Sequence, residues 1–211
     1  MEGNQEKQEV SMVPYTLGTI VMKYSLPMNM IDAINKAYDE SQDLISWNEK
    51  LAGKIEEEKL VNDLMTDVMN EIFLGCFQAY IQYIQKNIWT PKLNVVWINE
   101  MRAGEYNPFH YHTSTFSDLG LSSVLVLKRP TSGYGKEISR PEDPSNGYLE
   151  FVGGQQDSLS VSQFRVDAQV GDFYVFPYTM LHGVYPFYDT DETRRTLSYN
   201  CDLLRPENIE D

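Results

Sequence analysis

Three histidines, His110, His112 and His182, are the residues of this chain whose types and spacing most directly suggest chemistry. His110 and His112 are separated by one residue, so both imidazoles point to the same face if the segment is a β-strand. His182 lies several predicted strands further on, and a β-barrel could bring it back across the interior as a third ligand. Imidazole binds Fe, Zn, Cu and Ni, so the ligand type alone does not name the metal.

A pair of histidines two positions apart is weak evidence alone, because isolated histidines are more often surface or core residues than ligands. The context of the pair strengthens the metal hypothesis. Gly104 precedes His110, and Gly171 and Pro177 precede His182, so each histidine segment follows a turn and leads into a β-rich stretch. We therefore predict a metal site made of all three histidines.

The predicted strand at residues 194–203 holds a second group with a chemical use. Alternation places Arg194, Thr196 and Ser198 on one face and Arg195 on the other. An arginine flanked by hydroxyls can bind a carboxylate through paired hydrogen bonds, and it keeps its charge when buried. The other interpretation is an ion pair with a surface acid. We expect that pairing for Arg195 and carboxylate binding for Arg194.

The segments GEYNPFHYH, GDFYVFPYTMLHGVYPF and RRTLSYN resemble motifs of the 2-oxoglutarate/Fe(II)-dependent oxygenases, especially prolyl-4-hydroxylase-like members and their microbial and phage relatives. The resemblance covers residues 94–203, about half of the chain. In that family a double-stranded β-helix carries an HxD or HxE pair, a distal histidine and then a basic residue. The resemblance therefore implies Fe(II), with 2-oxoglutarate and O₂ as co-substrates and ascorbate as a supporting reductant. The implied reaction hydroxylates a C–H bond of a peptide, prolyl for example, or of a small molecule.

The resemblance also implies a role for each site residue. It makes His110, His112 and His182 the metal ligands, and it assigns 2-oxoglutarate binding to Arg194 with Thr196. The chain departs from the family at His112, which stands where the family has a carboxylate. Asp118 is a second candidate for the middle ligand if the loop before it folds back.

The same residues also resemble a cupin, which implies a metal-binding protein without 2-oxoglutarate turnover. Gly104 to His112 fits the first cupin motif except for its glutamate, and Gly171, Pro177 and His182 fit part of the second. The two families share a fold. Arg194 and Thr196 favour the oxygenase, because a cupin has no general need for a carboxylate-binding arginine there.

The elements around these residues are mostly short strands. From residue 89 onward, runs rich in Val, Tyr, Phe and Thr alternate with Gly, Pro, Asp and Asn. We predict strands at residues 94–101, 110–113, 123–128, 148–151, 160–166, 172–176, 182–187 and 194–203, and a long loop at 129–146. Four aromatic residues are candidates to line the pocket: Tyr106, Phe109, Tyr174 and Tyr185. The other interpretation of each is an aromatic residue of a strand without a role in the site.

The N-terminal part is predicted to contain a strand at residues 19–24 and two helices. The first helix follows Asn29 as N-cap, and the second spans residues 56–84 with apolar residues every three or four positions. The fold class is mainly β with flanking α-helices, a double-stranded β-helix (jelly roll, cupin-like). We expect one domain over residues 1–211, with buttressing elements in 1–90 and the β-helix in 91–205.

Composition narrows the function classes. The 211 residues include 17 Lys+Arg and 31 Asp+Glu, a net charge of −14 that repels phosphate backbones and anionic membranes. The two cysteines do not make a disulfide framework, and no apolar run is long enough to span a membrane. We expect a soluble cytoplasmic enzyme with a peptide or small-molecule substrate and without nucleic acid or membrane partners. The oligomeric state is left open.

Overall fold

The computed structural model describes residues 18–86, 88–114, 117, 119–136, 140–154 and 161–205. These residues form ten strands and two α-helices, with short 3₁₀ helices at Asn48–Lys50 and Asn62–Leu64. In chain order the elements are β1 (Met22–Ser25), α1 (Met28–Glu40), β2 (Glu57–Leu60), α2 (Asp67–Tyr83), β3 (Thr90–Met101), β4 (Asn107–His110), β5 (Gly120–Lys128), β6 (Leu149–Val152), β7 (Gln163–Val166), β8 (Asp172–Pro177), β9 (Leu181–Val184) and β10 (Arg194–Leu204).

The strands form two antiparallel sheets that enclose a core. The larger sheet has the order β1-β8-β5-β10-β3-β2, and the smaller has the order β4-β9-β6-β7. Apolar side chains from both sheets meet between them, among them Val126, Leu149, Phe151 and Phe176. This mainly β architecture is the predicted double-stranded β-helix.

The two helices cover the outer face of the larger sheet, where a second core forms. Phe73 and Phe77 of α2 are fully buried and share one cluster with Ile98 of β3 and Leu197 of β10. Burial of each phenylalanine stabilises the fold by about 1.5–3 kcal/mol. Because strand residues alternate between faces, the neighbours of these outward residues point to the space between the sheets.

The prediction of a helix over residues 56–84 is wrong in its first part. Residues Glu57–Leu60 form the edge strand β2, which pairs with β3, and α2 begins only after Thr66. The hydroxyl of Thr66 accepts a hydrogen bond from the Met69 amide at 3.3 Å, as an N-cap does. Pairing with a distant strand has overridden the helical propensity of this glutamate-rich segment.

The other boundaries shift by a few residues. The first strand is at Met22–Ser25 instead of 19–24, and α1 begins at Met28 after Pro27, so Asn29 lies inside the helix. All eight strands predicted beyond residue 89 are present. The predicted 110–113 strand is displaced to Asn107–His110, which leaves His112 just beyond it. Residue 160 and residues 137–139 of the predicted loop lie outside the described residues.

Among the residues that the structure describes, no helix has the length and apolar character needed to cross a membrane.

Arg195 joins α1 to the larger sheet. Its side chain is 4% exposed, and its guanidinium donates to the Glu100 carboxylate, to Asn35 Oδ1 at 3.0 Å and to Asp39 Oδ1 at 2.7 Å. The hydrogen bond from Arg195 holds the pKa of Asp39 below its usual value. The expected pairing with acids is therefore present, but one of the acids, Glu100, is buried rather than at the surface.

Replacement of Arg195 by alanine should lower the free energy of unfolding by about 3–5 kcal/mol, because it leaves the buried Glu100 carboxylate without a cation. Urea denaturation followed by circular dichroism measures the loss. Arg102→Ala is the matched control, since Arg102 pairs with Glu56 at 2.7 Å on the surface and should cost less than about 1 kcal/mol. Equal losses in the two variants would show that the buried Arg195–Glu100 pair stabilises the fold no more than a surface pair does.

Candidate metal centre and active site

The smaller sheet brings the three histidines together. β4 and β9 pair His110 directly with His182, and His112 follows β4 by two residues. One ligand nitrogen from each ring lies within 4.8 Å of the other two, and His112 Nε2 is 3.2 Å from His182 Nε2. An ion about 2.1 Å from each nitrogen needs neighbouring ligand atoms about 3 Å apart. The group therefore fits a divalent cation that imidazoles bind.

Backbone carbonyls orient two of the rings. The Nδ1–H of His110 donates to the carbonyl of Pro108 at 2.7 Å, and the Nδ1–H of His182 donates to that of Met180 at 2.9 Å. A carbonyl only accepts, so each Nδ1 carries the proton and each Nε2 keeps its lone pair for a metal. The third histidine is fixed through its main chain, since the His112 amide donates to the Tyr178 carbonyl at 2.9 Å.

Burial keeps all three imidazoles neutral, which is the form that binds metal. Desolvation lowers the pKa of His110 and, together with the neighbouring His110, lowers the pKa of His112 to about 3. The pKa of His182 falls well below its usual value, by desolvation first and then by the two other histidines. The Phe176 ring, 4.5 Å from the His182 ring, forms part of the apolar wall.

Arg194 projects into the pocket that the three histidines line. Alternation along β10 places Arg194, Thr196 and Ser198 there, as predicted. Arg194 is 2% exposed, and its Nε and Nη2 atoms have no hydrogen-bond partner among the described residues. Its Nη1 lies 3.5 Å from the Thr196 hydroxyl. A buried guanidinium without an acid is costly, so this arrangement suits an anionic ligand.

Other predicted site residues do not line this pocket. Asp118, the second candidate for the middle ligand, lies outside the described residues. Tyr106, Phe109 and Tyr185 line a separate apolar groove on the outer side of the smaller sheet, and Tyr174 packs in the core near Phe151. Phe109 points away from the pocket by ordinary alternation with His110, whereas a β-bulge between residues 107 and 110 brings Asn107 instead of Tyr106 to the pocket.

The sequence predictions missed two polar residues that line the pocket and one buried acid beside it. Asn99 and Asn107 line the pocket, and each has a buried Oδ1 atom that finds no hydrogen-bond partner among the residues that the structure describes. Glu58 lies directly opposite Asn99 in the β2–β3 pairing and is fully buried. A polar residue at an inward position of β3 was a detectable signal for Asn99. Glu58 gave none, because its segment was predicted to be helical.

A family comparison agrees with this geometry. The model of the 2OG-Fe(II) oxygenase family matches residues 95–200, about half of the chain. The chain belongs to this family. All three histidines, Arg194 and Thr196 of the oxygenase fall within the matched range. Membership implies Fe(II) and 2-oxoglutarate, and the three neutral imidazoles are suitable ligands for iron. A search of curated proteins gives no significant match.

Solved structures share the fold of the oxygenase at low sequence identity. A Pseudomonas putida prolyl-4-hydroxylase is 14% identical, with a TM-score of 0.57 over 86% of this chain and 91% of its own. A viral collagen prolyl hydroxylase from Paramecium bursaria Chlorella virus-1 is 13% identical, with a TM-score of 0.56 over 86% and 96%. The epimerase SnoN from nogalamycin biosynthesis, described as non-heme and alpha-ketoglutarate-dependent, is 14% identical, with a TM-score of 0.57 over 90% and 82%.

The Glu58 carboxyl should make stability depend on pH. Burial, and secondly the charge of Glu105, raise its pKa from 4.5 to about 7. The native state thus binds more protons than the unfolded state between these values, so its stability falls as the pH rises through this window. Relative to Glu58→Gln, the wild type should lose about 1–3 kcal/mol of unfolding free energy between pH 5 and pH 8. If urea denaturation gave the wild type and Glu58→Gln the same dependence of unfolding free energy on pH, Glu58 would not be a buried group that titrates in this window.

Alanine at His110, His112 or His182 should remove the metal site. Loss of an outer-shell partner typically costs 10–100-fold in metal affinity, so loss of a ligand should lower Fe(II) affinity by more than about 100-fold. Metal analysis after anaerobic dialysis measures the effect, with Tyr111→Phe, an exposed neighbour, as control. Iron retained by His112→Ala but lost from Asp118→Ala would show that Asp118 is the middle ligand.

Proposed function

We propose that the chain is a 2-oxoglutarate-dependent dioxygenase that hydroxylates a C–H bond of a peptide, such as a prolyl residue, or of a small molecule. The observation that carries the proposal is Arg194. Its guanidinium is buried without an acidic partner among the described residues, in the same pocket as three neutral imidazoles. A cation in that position calls for a ligand with a carboxylate directed away from the metal.

Each site residue then has a defined task. His110, His112 and His182 hold Fe(II), and Arg194 binds the far carboxylate of 2-oxoglutarate with the Thr196 hydroxyl beside it. Bound Fe(II) supplies the redox chemistry that couples O₂ and 2-oxoglutarate decarboxylation to C–H oxidation, with ascorbate as a supporting reductant. The protein positions both ligands and excludes water from them.

The charges in the pocket favour a dianion. The three imidazoles are neutral, so they leave the full charge of a divalent cation uncompensated, and Arg194 adds one positive charge. Among the described residues that line the pocket, none is acidic. A dianion such as 2-oxoglutarate neutralises this charge inside a low-dielectric space, where the attraction is stronger than in water.

The similar structures bear on the finer reaction. Two are prolyl hydroxylases, which supports hydroxylation and makes prolyl the first substrate class to test. The third is an epimerase, so the product must be identified and not only the consumption of 2-oxoglutarate. The competing function is a cupin-like protein that binds metal without turnover, and it gives no role to a buried Arg194 that has no acidic partner among the described residues.

Removal of the Arg194 guanidinium tests the proposal. Arg194→Ala should weaken 2-oxoglutarate binding by about 100-fold or more, since it removes a buried, charged hydrogen-bonding partner. Isothermal titration of the Fe(II) protein under argon measures the affinity, and succinate formation with ascorbate measures turnover. Arg102→Ala, with a surface arginine, should change neither. Unchanged 2-oxoglutarate affinity in Arg194→Ala, with no succinate from the wild type, would favour the cupin-like alternative.

A further inference from the structure

Glu58, Asn99 and Thr196 form a polar row on the inner face of the larger sheet. The register pairs Glu58 of β2 with Asn99 of β3, and Asn99 with Thr196 of β10. Residues paired directly across antiparallel strands have side chains on the same face, and neighbouring strands are about 4.8 Å apart. Glu58 thus lies about 10 Å from Thr196, two strand spacings away from the proposed 2-oxoglutarate site.

The segment before β2 covers this end of the row. Leu51, Ala52 and Ile55 line the pocket that the histidines and Arg194 also line. Gly53, in the middle of the segment, rests against the Glu58 carboxylate so closely that a Cβ atom there would overlap with Oε1. Glu58 is 0% exposed as a result. Its carboxylate is therefore part of the enclosed region and not of the surface.

Glu58 has no cationic partner among the described residues. Within the described part of the chain, both of its carboxylate oxygens lack a hydrogen bond, and so does Oδ1 of Asn99. The guanidinium of Arg102 is used by Glu56 and Glu57, and the nearby Glu105 carries charge of the same sign as Glu58. Burial of a charged carboxylate costs free energy unless the group is protonated or pairs with a cation. A bound cation would therefore stabilise the charged form of Glu58.

We propose that Glu58 and Asn99 recognise the primary substrate, and that this substrate carries a protonated amine or a guanidinium. The proposal deepens the proposed function and rests on it, because Asn99 lines the pocket of Arg194 and Thr196, and Glu58 lies next to Asn99 on the neighbouring strand. The Glu58 carboxylate accepts a hydrogen bond from the cationic group, and the amide oxygen of Asn99 accepts a hydrogen bond from a second N–H of the same group. The dianion at Arg194 and the cation at Glu58 occupy opposite ends of the row, so neither competes for the other's partner. The net charge of −14 also attracts cations from a distance.

The ionisation of Glu58 gives the binding step a signature. Burial raises the pKa of Glu58 to about 7, so much of the free protein carries a proton there at pH 6.5. A cation favours the charged carboxylate, so its binding expels that proton to the buffer.

Matched pairs of probes test the proposal by isothermal titration. We would use L-arginine with L-citrulline, L-lysine with Nε-acetyl-L-lysine, and putrescine with 1,4-butanediol. At least one cation should bind the wild type about 10-fold or more tighter than its neutral counterpart. Titrations at pH 6.5 in buffers of different ionisation enthalpy should show proton release. Glu58→Gln should abolish both effects. Glu57→Gln should keep both, because Glu57 faces α1, where it accepts a hydrogen bond from Tyr38.

Cations that bind no tighter than their neutral counterparts, or that bind Glu58→Gln as well as the wild type, would overturn the proposal. Asn99→Leu is a second variant, expected to weaken cation binding without removing Glu58. The same preparations are titrated with 2-oxoglutarate, whose affinity should be unchanged in Glu58→Gln. Failure of the wild type to bind 2-oxoglutarate would contradict the proposed function, whereas loss of cation preference alone would contradict only the role of Glu58.

Discussion

The register of β10 at the centre of the larger sheet determines which charges enter the pocket. β10 pairs with β3 on one side and β5 on the other, and a slip of one residue would exchange its two faces. Arg194 would then point to the helices and Arg195 to the pocket. The observed register is supported from the outer face, where Arg195 meets Glu100 and the Tyr199 ring lies 5.3 Å from that of Phe73. Packing beneath the helices thus determines which arginine faces the pocket on the other side of the sheet.

The smaller sheet positions the three candidate metal ligands in a different way. Direct pairing of His110 with His182 sets two candidate ligands side by side, and the bulge in β4 lets Asn107 and His110 both reach the pocket. The carbonyls that fix the two rings come from Pro108 and Met180, each two residues before its histidine. Local backbone geometry therefore sets the tautomers, without any further side chain.

The success of the sequence predictions depended on whether a feature is encoded locally. Alternation in residues 194–199 was enough to separate Arg194 from Arg195, and the strands beyond residue 89 followed from composition and turns. The bulge in β4 was not predictable, because it depends on pairing with β9, so Tyr106 was expected on the pocket side, where Asn107 lies. Glu58 was missed for a similar reason. A run of glutamates predicts a helix unless its pairing with β3 is known.

His112 changes the charge of the site more than its shape. As a ligand in place of the family's carboxylate, His112 would remove one negative charge from the metal while still offering one ligand atom near the other two. In the proposed site, the metal and Arg194 would then present more positive charge to the co-substrate than a site with a carboxylate ligand does. The buried acid Glu58 lies at the far end of the row, opposite Asn99, and is not part of the three-histidine group. The pocket thereby separates its charges along the sheet, with an anion favoured at β10 and a cation at β2.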